Sequence, residues 1–285
     1  MWDRRFRVGI DIGGTFTDFV LLDRSSGRLA LHKRLTTPSD PAEGALQGLG
    51  ELVAREGVAL ADLAEIVHGT MLVTNALTER NGARLGLLTT VGFRDLLDMG
   101  TEQRYDIYDL FLQRPEPLVP RDRRLEAAER IDALSRIAQP LDPGSVERAV
   151  ERLAEAGCEA VAIVFLHAYA NPAHERAAAA IVRRLCPDLP VSLSSEVVAQ
   201  MGEYPRAVTT CVNAYAQPLV ERFLRRFEAA LAAAGFRGTL RLVNSAAGLV
   251  SVETACAFPV RLLESGPAGG ALATALVADR AVRTR

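Results

Sequence analysis

Hydrophobic and polar residues alternate through the first 35 positions of the chain, and the pattern then changes to a helical one. The alternation predicts three β-strands, at Phe6 to Ile12, Thr17 to Asp23 and Leu29 to Leu35, because successive side chains of a strand point to opposite faces. Short turn sequences between these segments predict a three-strand meander. From Pro41 to Glu56 the apolar residues recur at helical spacing, which predicts an amphipathic helix.

Helices and strands then alternate in the middle of the chain. A helix is expected to begin at Asp142-Pro143 and end at Gly157, before a buried strand at Ala160 to Phe165. A second helix from Asn171-Pro172 to Leu185 precedes a short strand at Val191 to Ser194. This alternation predicts an α/β fold, and the initial meander predicts a mixed sheet with flanking helices rather than a purely parallel one.

The last third of the sequence favours helices. We expect one helix at Ala207 to Tyr215, a second at Pro218 to Ala234 and one strand at Leu240 to Val243. Residues 191–285 contain too few strands for a second complete α/β domain. The Pro-rich and charged stretch from Gln113 to Arg130 is predicted to be an excursion over the surface.

The composition is that of a globular protein with small-molecule partners. The chain has 285 residues, a formal net charge of −2 and 49% hydrophobic residues, which allows about two domains. The charge gives no reason to expect nucleic acid or a membrane surface as a partner. No signal peptide or membrane-spanning segment is predicted, so we expect a cytoplasmic location. The four cysteines have no metal-ligand spacing and are expected to be reduced core thiols.

Residues 11–18 read DIGGTFTD, directly after the first strand. Glycines allow several backbone amides to converge on one anion, and the hydroxyls of Thr15 and Thr17 add donors. Asp11 and Asp18 would repel a bare phosphate, so the acids imply a Mg²⁺ ion between carboxylate and phosphate oxygens. The alternative is a tight hairpin in which Gly13-Gly14 has no ligand, and local sequence alone leaves the two readings even.

Lysine usage restricts the type of phosphate site. Lys33 is the only lysine, and it does not follow a GxxxxG segment. A Walker-type P-loop is therefore excluded. Any nucleotide phosphates would have to be held by backbone amides, hydroxyls and a metal ion.

The stretch VGIDIGGTFTDFVLLD resembles the first phosphate motif of the superfamily that contains actin, Hsp70-type chaperones and sugar kinases. The continuation Phe16-Thr17-Asp18 resembles the hydantoinase/oxoprolinase family, whose A-type subunit couples ATP cleavage to cyclic-amide opening or ketone carboxylation. This resemblance implies an RNase H-like fold. It also implies that Gly13, Gly14, Thr15 and Thr17 bind ATP phosphates, with Asp11 and Asp18 as catalytic carboxylates and Asp11 as the Mg²⁺ ligand.

A second segment, His68-Gly69-Thr70 followed by Thr74-Asn75-Ala76, resembles the family's HGTxxxTNA motif. Thr70 can cap a helix from Met71 to about Arg80, which would bring Thr70, Thr74 and Asn75 to neighbouring parts of one face. His68 is either a hydrogen-bonded core histidine or a site residue. The accompanying polar residues favour a site, with His68 and Asn75 as catalytic candidates and Thr70 and Thr74 as substrate-binding candidates.

Further family-like motifs follow in order: TTVGFRD at 89–95, the loop GTEQRYDIYDL at 100–110, EYPRAVTT at 203–210 and SGPAGG at 265–270. In the loop, Arg104 is the substrate-binding candidate because arginine recognises anions. SGPAGG places Ser265 as the cap of a helix at Ala271 to Val277, which suits either anion binding or close helix packing. His167 and His174 do not have the spacing of a helical metal pair.

In the family, a second phosphate motif follows SGPAGG, and this sequence contains only the first. We therefore expect residues 1–190 to form the hydantoinase/oxoprolinase N-terminal RNase H-like domain. Residues 191–285 are expected to be the start of a hydantoinase A domain, with the second nucleotide-binding half incomplete.

The resemblance implies ATP-dependent hydrolysis of a hydantoin- or 5-oxoproline-type cyclic amide. It also implies a hydantoinase B-type subunit or fused domain as partner, and an oligomer. A ketone carboxylase subunit, a small-metabolite kinase and a catalytically silent nucleotide-binding fragment are the alternatives.

Overall fold

The computed structural model of the protein describes residues 5–37, 40–103, 106–113 and 115–283. The strands, in chain order, are β1 (Phe6–Ile12), β2 (Phe16–Asp23), β3 (Leu29–Leu35), β4 (Leu63–Thr70), β5 (Leu85–Thr90), β6 (Arg124–Ala127), β7 (Arg130–Ile131), β8 (Ile137–Gln139), β9 (Ala160–Val164), β10 (Val191–Leu193), β11 (Thr239–Val243) and β12 (Leu249–Ser251). The α-helices are α1 (Pro41–Arg55), α2 (Leu72–Thr78), α3 (Leu96–Met99), α4 (Pro143–Glu155), α5 (Ala173–Leu185), α6 (Ser194–Val197), α7 (Glu203–Ala233), α8 (Val252–Ala257) and α9 (Ser265–Arg283). The chain divides into two compact units, the first made of residues 1–80 and 219–285 and the second of residues 81–218.

The first unit contains a six-stranded mixed sheet in the order β12-β11-β4-β1-β2-β3. Strands β1, β4 and β11 are parallel to one another, whereas β2, β3 and β12 run antiparallel to their neighbours. The α/β fold with a mixed sheet and flanking helices is therefore confirmed, and so is the meander of β1 to β3.

Helix α1 covers one face of this sheet. It begins after Asp40, whose carboxylate accepts a hydrogen bond from a backbone amide of the first turn, and its first residue is a proline. Leu49 and Leu52 are fully buried on its inner side, and each contributes about 1.5–3 kcal/mol by leaving water. A β-carbon at Gly48 would collide with the ring of Phe19, so this glycine allows the close approach of helix and sheet.

The opposite face of strands β1 to β3 carries both charged and apolar side chains. Asp11 and Asp18 lie on this face, because each alternates with buried neighbours along its strand. Large apolar side chains are exposed on the same face: Phe16, Val20, Leu29, Leu31 and Leu35. The face that carries the predicted metal-binding carboxylate is thus the one away from α1.

The second unit is built on a parallel four-stranded sheet in the order β10-β9-β5-β6. Every residue of β5 and β9 is buried, as expected for parallel strands covered on both faces. Helix α4 begins where Asp142-Pro143 predicted it, since the Asp142 carboxylate accepts the amides of Gly144 and Ser145. Its residues Val150 and Leu153 are packed into the same core as β9.

Part of the stretch from Gln113 to Arg130 was wrongly predicted to lie on the surface. It contains β6, in which Arg124 is 2% exposed. The Arg124 Nε donates to the Val119 carbonyl oxygen at 2.8 Å, and Nη2 donates to the Asp98 carboxylate at 3.0 Å. Because these acceptors satisfy the guanidinium, a strand with a charged sequence can be buried.

Two helices are longer than predicted. Helix α7 runs without interruption from Glu203 to Ala233 and contains Pro218, where the sequence predicted a break between two helices. Helix α9 begins at Ser265 rather than at Ala271, so Ser265 is its first helical residue and not a cap outside it. In the part of the chain that the structure describes, no helix is both long and apolar enough to cross a membrane.

Candidate functional site

The tip of the β1–β2 hairpin is fixed by backbone hydrogen bonds. The amide of Gly13 donates to the Phe16 carbonyl oxygen at 3.0 Å, which closes a two-residue loop. The Thr36 amide donates to the Thr15 carbonyl oxygen at 2.9 Å, and the Thr36 hydroxyl donates to the Gly13 carbonyl oxygen at 2.8 Å. Among the described residues, the amides of Gly14 and Thr15 have no acceptor. These two donors are held in place and remain available.

The two glycines of the hairpin tip differ in the space around them. Neither Gly13 nor Gly14 has a positive φ angle. A β-carbon at Gly13 would lie 3.0 Å from the Phe16 carbonyl oxygen, so a side chain would disturb the turn. A β-carbon at Gly14 would meet nothing within 4 Å. The surface beside Gly14 is therefore open to a ligand.

Asp11 and Asp18 are directly opposite each other on β1 and β2. Lys33 balances Asp18, because its Nζ lies 3.1 Å from the Asp18 carboxylate. Asp11 has no cationic partner among the described residues, and partial burial together with the charge of Asp18 raises the pKa of Asp11. Its Oδ1 would lie 3.0 Å from a β-carbon at Gly69, so this glycine leaves room for the carboxylate against β4. A bound cation would relieve the unbalanced charge of Asp11.

Thr17 faces the interior of the first unit rather than the hairpin tip. It is 1% exposed, and its hydroxyl lies 3.1 Å from the hydroxyl of Thr36. Of the four predicted phosphate-binding residues, the structure brings Gly14 and Thr15 to the open tip. Gly13 and Thr17 make internal hydrogen bonds that hold this tip in place.

His68 lies on the opposite face of the sheet from Asp11. It is fully buried, and its ring centroid is 5.7 Å from those of Phe223 and Phe227. Its Nδ1 is 3.4 Å from the Ile10 carbonyl oxygen, and its Nε2 has no partner among the described residues. Burial lowers the pKa of His68 to about 4. These surroundings are those of a core histidine, and the predicted catalytic role of His68 stays a prediction.

His68 should make the stability of the protein pH-dependent. Its folded pKa of about 4 is below the ordinary value of about 6.5, so below pH 6.5 the unfolded chain binds a proton that the folded chain does not. The free energy of unfolding should fall by about 2 kcal/mol between pH 7 and pH 5 from this group alone. Urea unfolding of the wild type and His68→Phe measures the effect, because the variant cannot titrate there. Equal pH dependence in the two proteins would contradict the assignment.

The other predicted site residues on β4 and α2 occupy the end of the parallel strands. The Thr70 hydroxyl accepts the amide of Leu72 at 3.1 Å, but α2 begins at Leu72 with Met71 as its N-cap, so Thr70 lies one residue before the capping position that the sequence predicted for it. Thr74 and Asn75 are half-buried on α2. Arg104 lies outside the described residues. No group of three or more potential His, Cys, Asp or Glu metal ligands exists in the described ranges.

The start of helix α9 makes a long-range contact that its local sequence motif did not predict. The Ser265 hydroxyl donates to the Thr70 carbonyl oxygen at 3.1 Å, and Thr70 is paired with Ile12 at the end of β1. The start of α9 and the hairpin tip therefore lie at the same end of the sheet. A sequence pattern cannot reveal this contact, since the two residues are 195 positions apart.

This arrangement defines the class of the first unit. It is an ATPase-like α/β fold, with a mixed sheet and a glycine hairpin where the first strand ends. Residues 7–186 match the N-terminal region of the hydantoinase/oxoprolinase family, and residues 206–284 match the hydantoinase/oxoprolinase domain that follows it. The chain belongs to the hydantoinase/oxoprolinase family.

Relatives of the chain include cyclic-amide hydrolases and carboxylases. Caprolactamase subunit alpha of Pseudomonas jessenii is 35% identical over 98% of this chain and 41% of its own length. The 5-oxoprolinase of Saccharomyces cerevisiae is 30% identical over 93% of this chain and 23% of its own length. The nucleotide-free structure of an acetone carboxylase superimposes with a TM-score of 0.86 at 27% identity, over 96% of this chain and 40% of that one. The chain thus corresponds to the N-terminal portion of these proteins. It spans about two fifths of caprolactamase subunit alpha and less than a quarter of the 5-oxoprolinase.

The predicted boundary between residues 190 and 191 falls in the interval between the two family matches. The compact units follow a different division, because residues 219–285 join residues 1–80 in the first unit. Sequence domains and compact units are different properties, and the domain assignment stays a prediction.

Proposed function

We propose that the whole protein hydrolyses a cyclic amide at the expense of ATP, and that this chain supplies one side of the nucleotide site. The observation that carries the proposal is the unbalanced carboxylate of Asp11 next to a hairpin tip with two free amides. Family membership gives the reaction class, since the named relatives include a caprolactamase and a 5-oxoprolinase.

In this proposal the hairpin binds the phosphates. The amides of Gly14 and Thr15 and the Thr15 hydroxyl donate to phosphate oxygens, as in other backbone anion sites. Gly13, Thr17 and Thr36 keep the tip in that geometry. Preorganised donors of this kind stabilise the charge that moves during phosphoryl transfer without having to reorient.

The residues present suit a Mg²⁺ ion. Asp11 supplies a carboxylate oxygen, the ligand type that Mg²⁺ prefers, and phosphate oxygens and water would complete the shell. Asp18 stands one strand away and already interacts with Lys33. We therefore assign the metal to Asp11 and give Asp18 a supporting electrostatic role. The ion would neutralise phosphate charge during transfer.

The chemistry of a cyclic amide explains the need for ATP. An amide carbonyl is a weak electrophile, and transfer of the γ-phosphoryl group to its oxygen makes the carbonyl carbon open to attack by water. The ring nitrogen then leaves, and phosphate is released. Asn75, Thr70, Thr74 and Arg104 are proposed on the substrate side of the reaction, with His68 as a further catalytic candidate.

The product pattern distinguishes this function from its alternatives. The full assembly that contains this chain is incubated with ATP and, in turn, hydantoin, 5-oxoproline, caprolactam, or acetone with bicarbonate. We expect ADP, phosphate and one ring-opened carboxylic acid per ATP with one of the cyclic amides. Ketone- and bicarbonate-dependent ATP cleavage would instead identify a carboxylase, a stable phosphorylated product a kinase, and no ATP cleavage a silent protein.

A side chain at Gly14 should block nucleotide binding. Gly14→Val places methyl groups in the open space beside the tip, so we expect at least tenfold weaker binding of Mg-ATP to the chain by calorimetric titration. Gly50→Ala is the matched control, because its β-carbon also meets nothing within 4 Å but lies in helix α1. Unchanged affinity in Gly14→Val would remove the hairpin from the proposed site.

The relatives' names also bear on partners. Two of them are named as subunits, caprolactamase subunit alpha and acetophenone carboxylase gamma subunit, and these names support assembly with other subunits. We propose a hydantoinase B-type subunit or fused domain as the specific partner, in an oligomer. The cytoplasmic location stays a prediction.

A further inference from the structure

The loop between α3 and β6 exposes a run of large apolar side chains. Ile107, Tyr108, Leu110 and Phe111 are between 66% and 92% exposed, and we call residues 107–111 the aromatic segment. Among the large hydrophobic residues of the described ranges, Tyr108, Leu110 and Phe111 are the three most exposed. Single apolar residues are common on protein surfaces, whereas a contiguous group marks an interaction site. The aromatic segment therefore has the character of a docking surface.

Two side-chain turns hold the aromatic segment in an open conformation. The Asp106 carboxylate accepts the amide of Tyr108 at 2.9 Å, and the Asp109 carboxylate accepts the amide of Phe111 at 2.8 Å. Aspartate forms such turns because its side chain reaches the amide two residues further along the chain. Each turn thus ends at an exposed aromatic residue. This local order lowers the entropic cost of binding a partner through the two rings.

The charge around the aromatic segment is negative. Residues 98–116 contain five carboxylates and two arginines, whereas the whole chain has a net charge of only −2. Asp106 and Asp109, which form the two turns, are both exposed. Binding surfaces match opposite charges across the interface. A partner for this segment must therefore offer an apolar groove with arginine or lysine residues along its edge.

A cavity beside the aromatic segment is also lined by acidic residues. Its volume is about 420 Å³, and the chain lines it at residues 97–103, before the segment, and at residues 115–117, after it. Tyr204 belongs to the lining as well, together with the acidic residues Glu102 and Glu116. An arginine can stack on an aromatic ring and bind carboxylates. The cavity is thus suited to a basic side chain of the same partner.

We propose that the aromatic segment is the docking site for a hydantoinase B-type subunit. An apolar groove of that subunit takes Tyr108 and Phe111, and a basic side chain at the edge of the groove enters the cavity. This inference rests on the proposed function, which includes such a partner, and two relatives are themselves named as subunits. A second copy of this chain is a poorer occupant, because a two-fold contact would place one acidic segment against another.

Photo-crosslinking identifies the molecule that contacts the aromatic segment. Benzoylphenylalanine replaces Tyr108, or Leu134 in the control, in the full protein that contains this chain, which is irradiated with separately produced B-type subunit. Leu134 is a matched control, because it is 70% exposed in the same unit and its amide is also held by an aspartate turn, at 2.9 Å from Asp132. We expect position 108 alone to crosslink to the B-type subunit. A crosslink from position 108 to a second copy, or to another part of the same chain, overturns the proposal.

Titration of variants separates the apolar contribution from the charge contribution. The double variant Tyr108→Ser/Phe111→Ser should bind the B-type subunit at least tenfold more weakly in calorimetric titration, because buried aromatic anchors dominate binding energy. Asp106→Asn/Asp109→Asn keeps both turns, since asparagine retains the accepting oxygen. It should bind severalfold more weakly, with a smaller dependence on salt. Leu134→Ser should bind as tightly as the wild type.

The wild-type titration distinguishes failure of the docking site from failure of the proposed function. If the wild type binds the B-type subunit and Tyr108→Ser/Phe111→Ser binds it equally well, the docking site is wrong and the partner stands. A lower unfolding temperature of this variant with unchanged binding has the same meaning, because the rings would then pack within the protein. If the wild type does not bind the B-type subunit at all, the proposed partner itself is wrong.

Discussion

Asp11→Asn should lower the turnover number for ATP cleavage at least a hundredfold in the assembly that contains this chain. Asparagine has the same shape but no charge, and it binds Mg²⁺ poorly compared with a carboxylate. A hundredfold loss corresponds to about 2.7 kcal/mol of transition-state stabilisation, a reasonable value for a metal ligand in phosphoryl transfer. Steady-state ATP hydrolysis at saturating substrate gives the turnover number directly.

Two control variants make this result specific. Asp18→Asn should have a smaller effect, because the Asp18 charge is already compensated by Lys33 at 3.1 Å. Asp62→Asn changes an exposed carboxylate away from the hairpin and should leave turnover unchanged. Wild-type turnover in Asp11→Asn, or an equal loss in all three variants, would contradict the metal role of Asp11.

Gly238→Ala should destabilise the folded protein by about 3 kcal/mol, the upper part of the range for overpacking. A β-carbon at Gly238 would lie 2.6 Å from the carbonyl oxygens of Leu63 and Ala64. These are backbone atoms at the start of β4, which pairs with β11 immediately after Gly238. They cannot move away without disturbing that pairing, so the steric strain cannot be relieved without a loss of stability.

Urea unfolding at pH 7 measures the loss. Gly50→Ala is the control, since nothing lies within 4 Å of its β-carbon and alanine is favoured over glycine inside a helix by about 1 kcal/mol. The two alanine substitutions should therefore have opposite signs. A free energy of unfolding for Gly238→Ala within about 0.5 kcal/mol of the wild-type value would contradict the prediction, because it would mean that the backbone at the start of β4 can shift to accommodate the β-carbon.

Local signals predicted the elements that local interactions determine. Strands β1 and β3 begin and end where alternation placed them, and α4 begins at its Asp142 cap. Elements that depend on contacts with other parts of the chain were predicted less well. Strand β6 is charged in sequence, and it is buried only because Asp98 and Val119 satisfy Arg124. Helix α7 continues through Pro218, although proline disfavours a helix interior.

The candidate site shows the same limit. The sequence suggested a tight turn at Gly13-Gly14, whereas the loop residues are Gly14 and Thr15, and this one-residue difference sets the register that places Asp11 opposite Asp18. The face to which His68 points depends on its pairing with Ile10 in β1, 58 residues away, which a single motif does not show.

The solitary lysine gives this protein a chemical handle. Lys33 is the only lysine in the sequence, and its ammonium group lies 3.1 Å from Asp18, with about half of the side chain exposed. Within these 285 residues, amine-selective reagents therefore have a single side-chain target, located on the strand next to the hairpin. A fluorophore attached there would report on nucleotide arrival from within a few residues of the tip, without any engineered cysteine.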